Sequence, residues 1–145
     1  MSNLSPHLQF FIHLAKAKTV LARRFDNRLS FNGLGFSDFA ILCQLQEAED
    51  GKMRRTDLAE RVGLTASGIT RLLLPLEKIG VVKRETDSRD GRVSYVAITA
   101  AGRRLFNESL ERAELLSQDL LPETDEAKLR ELAAILIMLG KTIVY

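Results

Sequence analysis

One cysteine, two histidines, three prolines and no tryptophan are all that this chain of 145 residues carries of those types. A lone thiol, Cys43, closes no internal disulfide, so a reducing compartment, the cytoplasm, is expected. The histidines, His7 and His13, stand outside any HExxH pattern and point to no zinc site. There is no GxSxG nucleophile turn and no glycine-rich phosphate loop, Gly33 and Gly35 being too isolated to count. Neither an enzyme nor a bound cofactor or metal is expected. No apolar run approaches the ~20 residues of a membrane-spanning helix. The opening MSNLSPHLQFFIHLAKAKTV has no basic stretch ahead of an apolar one and no small-residue cleavage site, so neither a secretory leader nor membrane association is expected.

What is present is the composition of an ordinary globular domain, 46% hydrophobic and 28% charged. The length suits one domain, residues 1–145. The formal net charge of +2 is too small to name a partner, but its distribution is uneven. From Arg54 to Arg92 there are nine basic and six acidic residues, and the rest of the chain is close to neutral. A basic middle third hints at a polyanion, although a solvated mixed-charge surface would look similar.

Apolar residues at Leu8, Phe11, Ile12, Ala15, Ala22, Phe25 and Leu29 follow a helical period and predict a long helix from about Pro6 to Leu29. Gly33 and Gly35 break it, and a second helix follows from Ser37, its expected N-cap, to Ala48. A third, short helix spans about Thr56 to Val62. A fourth is capped by Thr65 and runs to Ile79 before Gly80. Val81–Glu85 and Val93–Ile98 are rich in β-branched residues and flank a polar loop, Thr86 to Arg92, as in a β-hairpin. Thr99 caps a fifth helix to about Leu120. After Pro122, Thr124 opens a sixth, reaching Val144, with Asp125 and Glu126 in its first turn.

The last helix places Leu129, Leu132, Leu136, Leu139 and Ile143 at alternating steps of three and four, a heptad seam suited to another helix. Leu8, Ala15, Ala22 and Leu29 form a comparable seam on the first. Such stripes at both ends suggest pairing of two subunits; the alternative is that the two helices pack only on each other.

The middle segment, DLAERVGLTASGITRLLLPLEKIGVVKRE, has the pattern of a helix-turn-helix. Ala59 is small where a second helix must cross closely. Gly63 suits a turn that demands positive φ. Ile69, Leu72 and Leu73 are apolar on the inner face of the second helix. Pro75 inside that helix deletes the hydrogen bond to the Arg71 carbonyl and is expected to bend it, either setting the angle of the reading end or as a tolerated local feature.

With DSRDGR and VAITAAG following, this run resembles the winged helix of the MarR family of transcriptional regulators. With the flanking helices, the resemblance covers nearly the whole chain. It implies a fold that is mainly α with a small β-hairpin wing: residues 36–100 a winged helix-turn-helix DNA-binding lobe, residues 1–34 and 101–145 dimerisation helices. It also implies a homodimer acting as a repressor on pseudo-palindromic double-stranded DNA, and in many members release by a small aromatic or anionic effector or by an oxidant.

In that frame the start of the fourth helix enters the major groove and presents Thr65, Ser67, Thr70 and Arg71; Thr65 and Ser67 read equally as simple caps. Arg71 would take a guanine edge or a phosphate. By resemblance Arg89, at the hairpin tip, enters the minor groove. Asp87 is expected to orient it through a charge-assisted bond, and Arg92 to support the wing or a phosphate. Arg54 and Arg55, ahead of the third helix, read as phosphate contacts or as ordinary surface. Two rival functions stand beside DNA binding: a winged helix that binds only proteins, and an oxidant sensor acting through Cys43. The thiol's apolar neighbours, Phe39, Ala40, Leu42 and Leu45, favour a packing role over the second.

Overall fold

A computed structural model describes residues 3–141. Six helices and three short strands follow in the order α1 (Pro6–Leu29), α2 (Phe36–Glu47), β1 (Lys52–Arg54), α3 (Arg55–Arg61), α4 (Ala66–Lys78), β2 (Val82–Thr86), β3 (Ser94–Ile98), α5 (Ala100–Leu120) and α6 (Glu126–Leu139). The fold is mainly helical, as expected, but the expected hairpin is part of a three-stranded antiparallel sheet of order β1-β3-β2. Arg54 on β1 and Glu85 on β2 both stand opposite Tyr95 on β3.

The lobe's core forms where α2, α3, α4, the sheet and the start of α5 converge. Ile41, Leu42, Leu45, Leu58, Ile69, Leu73, Leu76, Val82 and Val96 are all buried there. Phe25, Phe36, Phe39 and Phe106 continue it as a ladder of stacked rings, with successive centroids 4.4, 6.3 and 5.4 Å apart. Such contacts add about 0.5–1.5 kcal/mol per pair beyond area burial. The ladder runs from α1 through α2 to α5 and so ties the long helices to the lobe.

Helix starts show where local signals were overridden. Thr65 and Thr99 cap α4 and α5 as expected, accepting hydrogen bonds from the Gly68 and Gly102 N–H groups at 3.1 and 3.0 Å. Ser37 is not the cap of α2. That helix begins after Gly35, whose N–H donates to Asp38, and the Phe36 N–H donates to Asp26 of α1 at 2.7 Å. Nor is Thr124 the cap of α6; Asp125 is, accepting from the Lys128 N–H at 2.7 Å. A carboxylate suits the positive end of a helix better than a hydroxyl does. Of the expected seams, Leu8, Leu132, Leu136 and Leu139 are largely exposed in the single chain, and α6 buries no residue at all. Ile143 and Val144 lie outside the described residues. No described helix is long and apolar enough to cross a membrane.

Gly102 lies in the first turn of α5, and a Cβ there would run into the Val81 carbonyl oxygen. Backbone on both sides leaves little room to yield. Gly102→Ala is expected to destabilise the fold by about 1–3 kcal/mol, as overpacking does, read as a lower urea midpoint at unchanged slope. An unchanged midpoint would show that α5 shifts freely against β2.

Candidate nucleic-acid interface

The helix-turn-helix is built as its sequence requires. Ala59 is 6% exposed under the α4 crossing, Gly63 has φ of 71°, and Ile69 and Leu73 are buried beneath. With Ile69, Leu73 and Leu76 inward, the same helix turns Ser67 and Arg71 to solvent. The helix runs unbroken through Pro75. At its start the Ser67 hydroxyl lies 3.2 Å from that of Thr65. Helix geometry leaves the first N–H groups free of intrahelical partners, so this end is a positive, hydroxyl-rich face suited to a phosphate.

Thr70 has a different place from the one expected. It is half-buried, donating to the Ala66 carbonyl at 2.8 Å and accepting from the Arg55 guanidinium. Its hydroxyl therefore anchors Arg55 beside the recognition helix rather than pointing outward. Arg54 ends β1 with an exposed side chain. Arg71 makes no hydrogen bond or ion pair with any described residue and is free to take an external acceptor.

The wing also differs in one bond. Asp87 does not hold the Arg89 guanidinium. Its Oδ1 accepts from the backbone N–H groups of Arg89 and Asp90 at 2.7 and 3.3 Å, and its Oδ2 from the Tyr95 hydroxyl at 3.4 Å. The short carboxylate meets the nearer N–H groups, as in an Asx turn, before it can meet a long flexible cation. Arg92 does support the wing: its Nε and Nη2 donate to the two oxygens of Asp90 at 3.1 and 3.2 Å. Those bonds, the Arg92 N–H and the charge of Arg54 hold the Asp90 carboxyl below its usual range. Arg89 is exposed, and its side chain has no partner among the described residues.

Sequence reasoning missed β1, Tyr95 and the Arg55–Thr70 contact. Three residues are too few to show a strand period, and the last contact joins positions 15 apart. Cys43 is half-buried against the core with its sulfur 3.9 Å from a Glu47 carboxylate oxygen. Burial, then the charge and hydrogen bond of Glu47, push its pKa up, the opposite of what a reactive thiolate needs. No group of three or more metal-ligating side chains occurs among the described residues.

Residues 37–83 match a family model described as winged helix-turn-helix DNA-binding. Over 108 residues the chain is 31% identical to the HTH-type transcriptional regulator FarR of Neisseria gonorrhoeae, covering 74% of this chain and 73% of that protein. Among solved structures it is similar to NadR in complex with 4-hydroxyphenylacetate, with a TM-score of 0.82 at 26% identity over 99% of this chain and all (100%) of that one. Its fold is also that of Sco3205, a MarR family transcriptional regulator from Streptomyces coelicolor solved in complex with DNA, with a TM-score of 0.82 at 22% identity over 97% and 89% of the two chains.

The free guanidinium at the wing tip can be tested directly. Arg89→Ala is expected to weaken binding to a duplex selected by the protein from a random pool by about 1–3 kcal/mol. Fluorescence anisotropy across a salt series reads it, and affinity equal to wild type would remove Arg89 from the interface.

Proposed function

Given that this chain belongs to the MarR family of winged helix-turn-helix transcriptional regulators, a family of DNA-binding proteins and not of enzymes, we propose that it acts in the cytoplasm as a homodimeric repressor on pseudo-palindromic operators. Two lobes present the start of α4 to successive major grooves, with Thr65, Ser67 and Arg71 at the DNA. The wing's Arg89 reaches the minor groove, Arg54 and Arg55 lie along the phosphates, and Arg92 supports the wing through Asp90. Asp87 and Thr70 serve as braces for that surface.

The observation that carries the dimer is the exposed apolar surface of the terminal helices. On α6, Leu132, Leu136 and Leu139 share one side, and at 100° per residue Ile137 and Met138 fall on the other. All of these are at least 42% exposed, as are Leu8, Phe10, Phe11 and Ile12 of α1. The second half of α6, from Ala133 to Leu139, is apolar all round, as in a buried helix, and the single chain covers it only in part, where Ile135 and Leu139 face Phe10 and Phe11. Each such side chain gains roughly 1.5–3 kcal/mol on full burial, so interlocking α1 and α6 of two copies offsets the association cost of roughly 4–15 kcal/mol. Leu136→Glu with Ile137→Glu is expected to convert a dimer in sedimentation equilibrium to monomer and to abolish operator binding. A wild-type protein that sediments as a single chain at micromolar concentration refutes the arrangement.

Release by a small effector is the second part of the reading. A hollow of about 450 Å³ lies between α1, α2 and the α3–α4 turn, walled by Leu21, Phe25, Phe36, Ala40, Val62 and Leu64, with Lys18 beside it. It touches a long helix and the helix-turn-helix at once, so an occupant bears on the angle between them. The wall is mainly apolar, with the Lys18 ammonium, the Ser37 hydroxyl and the Asp26 carboxylate, whose Oδ1 is engaged by the Phe36 N–H. It suits an aromatic carboxylate whose charge lies at Lys18, the class of the ligand bound to NadR. Aromatic monocarboxylates, 4-hydroxyphenylacetate among them, are expected to raise the melting temperature and weaken duplex binding, and Ala40→Phe, which fills the hollow, to abolish both effects. A panel without effect on either quantity removes effector control from the proposal.

A further inference from the structure

The wing holds two acids and two arginines within six positions, Asp87, Arg89, Asp90 and Arg92. At such spacing the default outcome is mutual neutralisation, which would leave no cation for an electronegative groove. The structure avoids it by occupying each acid separately. Asp90 is taken on both oxygens by Arg92. Asp87 is taken on Oδ1 by two backbone N–H groups, and its Oδ2 lies 3.4 Å from the Tyr95 hydroxyl. No acid remains for Arg89.

Tyr95 is well placed for this task. It is the second residue of β3, the middle strand of the sheet, half-buried, with Arg54 and Glu85 as its cross-strand neighbours. The Lys52 ammonium stands 5.3 Å from its ring centroid and pairs with Glu85 at 3.5 Å, while Lys83 holds the other Glu85 oxygen at 3.3 Å. Ring and hydroxyl are thus fixed from the sheet, not from the hairpin tip. A hydroxyl there takes up one acceptor direction of Asp87 Oδ2, and the nearest cationic donor along the chain is Arg89.

We infer that Tyr95 is a positioning residue for DNA binding: by keeping Asp87 turned to the backbone, its hydroxyl leaves the Arg89 guanidinium unpaired and aimed outward. This rests on the proposed role of Arg89 in the groove. Tyr95 itself touches no DNA in this account; it acts through Asp87.

Tyr95→Phe removes the hydroxyl and keeps the ring over Lys52. Binding of the 145-residue chain to a duplex selected by the wild-type protein from a random pool is expected to fall about threefold to tenfold, the worth of one ordinary hydrogen bond. In an Arg89→Ala background the same change is expected to do nothing, because the two act as one unit. In the free protein, hydrogen exchange at the Arg89 and Asp90 amides is expected to quicken while the melting temperature holds. Equal weakening in both backgrounds would show a merely structural tyrosine, and wild-type affinity for Tyr95→Phe overturns the inference outright. If the wild-type protein retained no duplex at all, the DNA reading would fail by itself; the amide exchange then decides whether Tyr95 fixes the wing, unchanged rates refuting it.

Discussion

Two helices cannot cross at the distance of α3 and α4 unless the residue between them is small and the chain reverses within three residues. Ala59 and Gly63 meet those two demands, the first by lacking a side chain beyond Cβ, the second by holding φ at 71°. Everything presented to solvent follows from that crossing. It fixes which face of α4 sinks Ile69, Leu73 and Leu76, and hence that Ser67 and Arg71 look outward. It also sets the start of α3 against α4, so that Arg55 reaches Thr70.

The surface built on this frame is organised by which charges are occupied. Arg92 is spent on Asp90, Arg84 on Glu77 at 3.6 Å, and Lys52 and Lys83 on Glu85. Such exposed pairs contribute little to stability, with a median near 0–1 kcal/mol. Their effect is to decide which cations stay available. Arg71 on the recognition helix and Arg89 on the wing are among the cations of the described residues left without an acid, and a polyanion is the natural taker of both.

Much of this was legible in the sequence because it is local. Thr65 and Thr99 sit three residues before the N–H groups they cap, and Gly63 and Gly80 adopt the positive φ their positions announce. The apolar stripe of α6 was legible too, since a period of three and four needs only the residues of one helix, whereas Leu29 of the expected α1 seam is buried in the core of the lobe. What escaped notice was tertiary. Asp26 caps α2 from ten residues upstream, displacing Ser37 from the role, and Thr70 answers to Arg55 across the turn. Asp87 misled for another reason: charge complementarity favoured Arg89, but geometry put two backbone donors nearer.

Asp26 also bears on how far the lobe is a module. The first N–H of α2 is satisfied by a side chain on α1, the Phe36 ring stacks on Phe25 of the same helix, and Phe39 leans on Phe106 of α5. Cutting out the segment between the long helices would strip one end of α2 of its counter-charge and bare the Phe36 and Phe39 rings to water. Reader and handle are therefore a single cooperative unit, and a tug on either is felt in the other without any hinge between them.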